Sequence, residues 1–234
     1  MVSYDGIGIL EMKAFAEARM RGFFVTFEGG EGSGKSTQVN RLISRLQALR
    51  IKAVGTREPG GSPGAEKIRA LLLDPAVGRF TAMAEVLLFY AARAEHLEKL
   101  IRPTLSRGDW VISDRFSDST RAYQGLDGRI NPADLAAIEK LVVGETRPDL
   151  TFLLDLPAAE GLKRAQMRRG DAQVDPFEQQ AVSYHVALRG QFRMMAQSEP
   201  ERWVIIDATQ SADAVEKEIW QILSDRIKAR KSLK

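Results

Sequence analysis

Short apolar runs alternate with longer amphipathic stretches along the whole chain. The runs 22–28, 51–56, 109–113, 150–155 and 203–207 predict strands; the stretches 35–49, 64–73, 81–106, 132–143, 158–169, 176–197 and 211–229 predict helices. The third and fourth strands read Asp-Trp-Val-Ile-Ser and Leu-Thr-Phe-Leu-Leu-Asp. Such nearly unbroken apolar sequences belong to strands covered on both faces. In the first helix Val39, Leu42, Ile43, Leu46 and Leu49 make one apolar stripe; in the last, Val215, Ile219, Ile222 and Leu223 do the same. Asn131 followed by Pro132 marks a helix start, a capping side chain before a residue that needs no amide donor. The alternation predicts an α/β fold, a parallel sheet sandwiched by helices with right-handed crossovers. No repeat, linker or low-complexity tract interrupts it. Residues 21–230 therefore read as one domain with an embedded mobile segment near 168–177, behind a segment 1–20 that reads as a short helix (Leu10, Phe15, Ala18) or as disordered.

Composition narrows the partners. A chain of 234 residues with 44% hydrophobic and 28% charged residues has ordinary globular usage, and its net charge of +3 does not argue for nucleic-acid binding. The absence of cysteine excludes disulfides and thiolate metal sites and fits a reducing cytoplasm. No segment has the roughly 18 continuous apolar residues of a membrane span, and the first residues lack a signal-peptide pattern. The two histidines, His96 and His185, read as surface or helix-packing residues, and the basic residues Arg230, Lys231 and Lys234 as complements to a helix dipole.

The chemistry begins at Gly29-Gly30-Glu31-Gly32-Ser33-Gly34-Lys35-Ser36, a full match to G-x-x-x-x-G-K-[ST]. It lies between the strand run Phe23 to Phe27 and the amphipathic helix from Lys35, the context a phosphate-binding loop needs. Backbone N–H groups from Gly32 to Lys35 converge on an anion there, aided by the helix N-terminus. Lys35 is placed to reach the β- and γ-phosphates of a bound nucleotide, and the Ser36 hydroxyl to sit on Mg²⁺. Asp114 closes the third strand and is the acidic partner such a loop requires for Mg²⁺ or its water shell. Asp155, closing the fourth strand before Leu156-Pro157, competes for that role but reads better as a structural cap. In open α/β sheets ligands bind beyond the carboxyl ends of the strands, which directs attention to Thr56–Gly61 and Asp114–Gly125.

Those segments carry a family resemblance. Phe27-Glu28-Gly29, Arg57-Glu58-Pro59-Gly60-Gly61, Leu88-Phe89-Tyr90-Ala91-Ala92-Arg93, Asp114-Arg115-Phe116, Ala122-Tyr123-Gln124-Gly125 and Arg147-Pro148-Asp149 occur in this order. Together they resemble the bacterial-type thymidylate kinases of the P-loop nucleoside monophosphate kinases over about residues 21 to 210. The resemblance implies a three-layer P-loop fold with strand order 2-3-1-4-5, a homodimer, and magnesium-dependent phosphoryl transfer from ATP to thymidine monophosphate. It also implies an ATP site at Gly29 to Thr37. Phe89 is implied to stack on the thymine, with Arg93, Thr120 and Gln124 contacting the base. Tyr123 is implied to exclude a 2′-hydroxyl, and Glu31 to face the 3′-hydroxyl. Arg57, Glu58, Arg69 and Arg115 complete the implied monophosphate site. From pattern alone Phe89 reads as core in the run Val86 to Phe89, and Arg69 as a surface salt bridge.

An acidic residue inside the phosphate loop requires positive charge from elsewhere, and the resemblance places that charge in the lid. Arg164, Arg168 and Arg169 precede Gly170, although their spacing supports a solvated basic face equally well. Arg164 and Arg168, four apart, share a helix face. Asp175-Pro176-Phe177-Glu178 departs from the family's Asp-Arg pattern, since Pro176 supplies no cation. Lys35, Arg115, Arg168, Arg164 and Glu31 are therefore the expected catalytic residues. A monophosphate acceptor needs no general base, because its second pKa is about 6. Another monophosphate kinase, a deoxynucleoside kinase and a GTPase-type switch are the competing readings. The switch would need an Asn-Lys-x-Asp stretch, which the sequence lacks.

Overall fold

Strand β1 (Phe24–Glu28) runs through the middle of a five-stranded parallel sheet. In a computed structural model of the chain, residues 22–126, 128–169 and 180–232 are described. The strands β2 (Ala53–Arg57), β3 (Trp110–Asp114), β4 (Leu150–Asp155) and β5 (Trp203–Asp207) join β1 in the order β2-β3-β1-β4-β5. Register aligns Phe27 with Asp114 on one side and with Phe152 on the other, so the ends of β1 and β3 present the phosphate loop and Asp114 side by side.

Alternation along β1 divides the core. Phe23, Val25 and Phe27 face a layer of α1 (Lys35–Ala48) and α9 (Ala212–Ser232), packing with Val39, Leu42, Leu46, Ile219 and Leu223. Phe24 faces the opposite layer and packs with Val86, Tyr90, Leu97, Ile101 and Phe116. A residue period of two in the strand thus meets a period of 3.6 in the helices on both faces. The remaining helices are α2 (Pro63–Leu73), α3 (Ala82–His96), α4 (Arg102–Ser106), α5 (Ser117–Gly125), α6 (Pro132–Val142), α7 (Ala158–Arg169) and α8 (Val182–Ser198).

Two helices differ from the sequence expectation. The predicted helix 81–106 is broken by a π-helical turn, Leu97–Ile101, between α3 and α4. Pro103 supplies the cause: its ring clashes with the carbonyl four residues back and it donates no amide hydrogen. Segment 117–125 reads in the sequence only as a stretch after a strand, yet it forms α5, with Ser117, Asp118, Thr120, Ala122, Tyr123 and Gln124 buried. Serine, aspartate and threonine disfavour helix interiors locally. Here tertiary pairing prevails, because Asp118 accepts hydrogen bonds from Arg202 at 2.6 and 3.1 Å and from Arg121 at 3.1 Å. The predicted helix 176–197 is seen from Val182; its start, with residues 1–21 and most of the expected lid, lies outside the described residues.

Candidate active site

The phosphate loop leaves β1 through residues that only glycine tolerates at low cost. Gly32 and Gly34 have φ of 67° and 94°, in the left-handed region. A Cβ on Gly32 would also lie 2.0 Å from the Gly161 carbonyl oxygen, and one on Gly161 would lie 2.3 Å from that of Glu31. Loop and helix α7 therefore meet backbone to backbone. Gly161 was missed in the sequence; a glycine inside a predicted helix, costing about 1 kcal/mol against alanine, was its only signal. Lys35 is buried, and its Nζ donates to the carbonyls of Gly29 at 3.1 Å and Gly30 at 2.8 Å and to Ser33 Oγ at 3.3 Å. Burial, together with Arg115, pulls the Lys35 ammonium down to about 8, against the opposing pull of Glu31, Asp114 and Glu28.

The loop opens on a cavity of about 270 Å³. Of the residues expected to bind the nucleotides or Mg²⁺ or to act in catalysis, Gly29, Gly30, Ser33 and Arg164 do not line it; the others do. The first three shape the loop around Lys35. Pro59, Leu73, Phe116 and Ser119 line the cavity as well, without having been expected.

Arg115 is the electrostatic centre. It has φ of 70°, a left-handed conformation rare outside glycine and found disproportionately at functional sites. Its guanidinium donates to Glu31 Oε1 at 2.7 Å, Tyr123 Oη at 2.9 Å, Gly29 O at 3.1 Å and Ser119 Oγ at 3.1 Å. Tyr123 in turn donates to Glu31 Oε1 at 2.8 Å. Burial pushes the Glu31 carboxyl up, but Arg115, Lys35 and the tyrosine hydroxyl overcome that and hold it at about 2. Below Arg115, the fully buried Glu28 accepts from the Phe116 amide at 2.8 Å and from Ser119 Oγ at 2.6 Å. Burial and the neighbouring Asp118 raise its carboxyl well above the ordinary range.

The far wall is built by α3 and α5. Phe89 is half-buried and lines the cavity, rather than sitting in the core with Val86 and Tyr90. Arg93 is buried; it donates to Glu58 Oε2 at 2.7 Å, Thr120 Oγ1 at 2.9 Å and the Phe116 carbonyl at 3.2 Å. Among the described residues its Nη1 has no hydrogen-bond partner. Gln124 donates to Glu85 at 2.9 Å. Glu58 lines the cavity, but its two oxygens are taken by Arg93 and His96, so it acts here as a brace. At the rim Arg57 donates to Glu66 at 3.0 Å and Arg69 to the Pro59 carbonyl at 2.7 Å.

The lid arginines separate. Arg168 is exposed and lines the cavity. Arg164, expected to assist it, instead donates to the Ala208 carbonyl at 3.0 Å and to Glu160, one turn away on α7. Four residues of helix rise about 6 Å, enough for a shared face to meet different neighbours at its two ends. Pro176 lies outside the described residues. Asp155 is taken by Arg189, at 2.6 and 2.9 Å, and by Arg193, which anchors α8 and removes it as a rival to Asp114. Ser36 donates to Asp114 across the loop mouth. No group of three or more His, Cys, Asp or Glu side chains could hold a metal among the described residues. One hydroxyl and one carboxylate fit a hard cation that keeps most of its shell as water and phosphate oxygens, as Mg²⁺ does.

Comparison with known proteins agrees with this geometry. The family model described as thymidylate kinase matches residues 27–219. A thymidylate kinase of Nitrobacter hamburgensis is 50% identical over 208 residues, covering 89% of this chain and 90% of its own. One from a Bradyrhizobium species is 49% identical over 207 residues, covering 88% and 92%. The crystal structure of thymidylate kinase from Ehrlichia chaffeensis superposes with a TM-score of 0.69 at 31% identity, covering 86% of this chain and 98% of that one. A phosphate loop facing an aromatic and an arginine across one cavity, with these relatives over nearly its whole length, places the chain in the thymidylate kinase family.

Proposed function

We infer that the chain transfers the γ-phosphoryl of ATP to thymidine monophosphate, giving thymidine diphosphate and ADP. The observation that carries this reading is one cavity lined by Lys35 and the phosphate loop at one side and by Phe89 and Arg93 at the other. An aromatic face with a planar cationic donor is suited to a base, and a base with carbonyl acceptors suits Arg93 better than one presenting an amino group. An acceptor phosphate oxygen attacks the γ-phosphorus while the bond to the β–γ bridging oxygen breaks and ADP leaves. The acceptor is already largely dianionic near neutral pH, so no general base is required.

The protein supplies alignment and charge. Lys35 neutralises the donor phosphates. Arg115, fixed by Glu31, Tyr123 and Ser119, faces the meeting point of the two phosphates, with Arg69 and Arg57 at the acceptor rim. Arg168 supplies a further cation from α7, and Tyr123 closes the space beside the acceptor sugar. Mg²⁺ held through Ser36 and Asp114 would carry further neutralisation on the ATP phosphates. We further read the enzyme as cytoplasmic and homodimeric; no described helix is long and apolar enough to cross a membrane. The test is a coupled ADP-release assay over the common nucleoside monophosphates and thymidine. Thymidine monophosphate should give the highest kcat/KM; a higher value for another monophosphate, or for thymidine itself, would overturn the assignment.

A further inference from the structure

Behind the base wall lies a buried polar chain whose far members, His96 and Thr56, none of the roles above uses. His96 is fully buried, at 0% exposure, on the last turn of α3. Its Nε2 lies 2.7 Å from Thr56 Oγ1 at the end of β2, and its Nδ1 lies 3.0 Å from Glu58 Oε1. The other Glu58 oxygen accepts from Arg93 Nε. Arg93 and His96 together hold the Glu58 carboxyl below its ordinary range despite its burial, so it is an acceptor only. His96 must then donate from Nδ1. In the neutral ring the Thr56 hydroxyl donates to Nε2; in the charged ring the threonine oxygen accepts.

Three further features show that this chain is built to be rigid. A Cβ on Gly61 would lie 2.4 Å from both His96 Nε2 and Thr56 Oγ1, so the loop backbone is pressed against their hydrogen bond. The Arg93 guanidinium carbon lies 4.6 Å from the centre of the Tyr90 ring and 5.4 Å from that of Phe116, which holds its plane. The π-helical turn starts at Leu97, directly after His96, and such turns gather at functional sites. What the chain holds is a guanidinium beside the cavity with Nε and Nη2 engaged and a buried Nη1 that has no partner among the described residues.

We propose that His96 is a specificity-determining positioning residue: through Glu58 it fixes Arg93 so that its guanidinium meets a carbonyl acceptor on the base, with Thr56 fixing His96 in turn. The proposal rests on the reading of Arg93 as the donor to the base. A carboxylate held at one oxygen only can turn about its own axis and carry Arg93 Nε with it. Held at both, it cannot. Thymine presents a carbonyl where cytosine presents an amino group, so a fixed donor favours the first, and a loosened one discriminates less.

The experiment is steady-state kinetics with thymidine and deoxycytidine monophosphates on four variants, with melting temperature recorded for each. His96→Gln keeps an amide near Nε2 for Thr56 but withdraws the donor from Glu58. His96→Asn keeps an amide near Nδ1. Thr56→Val removes the hydroxyl, and Arg93→Lys keeps a cation beside Glu58 without Nη1. For His96→Gln we expect the KM for thymidine monophosphate to rise about tenfold, the low end of the cost of losing a hydrogen bond to a charged group. KM for ATP should stay within twofold, kcat should change less than threefold, and the preference over deoxycytidine monophosphate should narrow. His96→Asn should restore the KM to within about threefold of wild type, and Thr56→Val should raise it about threefold. If His96→Gln does not fold, Thr56→Val decides the matter alone. A higher monophosphate KM in Arg93→Lys without a change in His96→Gln or Thr56→Val would overturn the role of His96 only. An unchanged KM in Arg93→Lys would overturn the reading of Arg93, and the proposal with it. A loss in kcat with both KM values unmoved, or no rescue by asparagine, would reduce His96 to packing.

Discussion

Replacing Gly161 by alanine tests whether the phosphate loop is held in place by helix α7. The new Cβ would stand 2.3 Å from the Glu31 carbonyl oxygen. A tolerated C···O contact is about 3.3 Å, so loop and helix must part by roughly 1 Å. Two stability effects oppose each other. Alanine in a helix interior is favoured over glycine by about 1 kcal/mol, while overpacking costs about 1–3 kcal/mol. The net destabilisation should be at most about 2 kcal/mol, lowering Tm by no more than about 8 °C in a chain of this size. Catalysis should suffer more. A misplacement of about 1 Å costs about a hundredfold in rate, because in-line transfer depends on alignment. Gly190 in α8 is the control, since a Cβ there meets nothing within 4 Å. Gly190→Ala should leave turnover alone and raise Tm by a few degrees. ADP release at saturating substrates and thermal melts by circular dichroism give both readings. A folded Gly161→Ala protein with kcat within threefold of wild type would refute the idea that this contact sets the loop.

Other expectations can be checked with the same assays. The Lys35 ammonium, held at about 8, should make kcat/KM for ATP fall tenfold per pH unit above pH 8, whereas kcat should fall only at higher pH because bound phosphates keep the proton on Lys35. The unfolded chain binds the Lys35 proton more tightly, so this group's contribution to stability rises between pH 8 and about 10.5; a parallel loss of Tm over that window would contradict the assignment. Arg168→Ala should lower kcat at least tenfold with little change in the KM for ATP, whereas Arg164→Ala, which loses the Ala208 and Glu160 contacts, should cost stability and under threefold in rate. Tyr123→Ala should narrow the preference for the deoxy over the ribose monophosphate; unchanged selectivity in a folded variant would leave Tyr123 a packing role, beside Phe192 and bonded to Arg115 and Glu31.

The sheet, its helical layers and the phosphate loop were legible because each is a local pattern repeated over many residues. Period-two and period-3.6 patterns identify faces, and G-x-x-x-x-G-K-[ST] is a contiguous geometry in which every position has its own reason. Pattern failed where one residue decided the outcome. Phe89 sits three residues after Val86 and one before Tyr90, at the margin of the buried face, so periodicity gave it to the core while the structure turns it to the cavity. Helix α5 has the local chemistry of a loop and forms because Arg202, distant in sequence, satisfies Asp118.

The pairing of charges was the least legible part, and for a physical reason. A carboxylate at a strand end has the same local signature whether it will meet a metal, a substrate or a buried arginine. Asp114 and Asp155 close the two strands that flank β1, yet one meets Ser36 at the loop mouth and the other is consumed by Arg189 and Arg193. Glu31 is the sharper case. Read alone, an acid inside a phosphate loop repels the anion the loop must hold. In the structure its charge is spent on Arg115, and the pair together fixes a guanidinium with further donors turned toward Ser119, Gly29 and Tyr123. Glu31→Gln should therefore not free Arg115 for catalysis. It should weaken the strongest contact that locates the guanidinium, lowering kcat although the site becomes more positive. Faster turnover in Glu31→Gln would show that the net charge of the site, and not the placement of Arg115, limits the reaction.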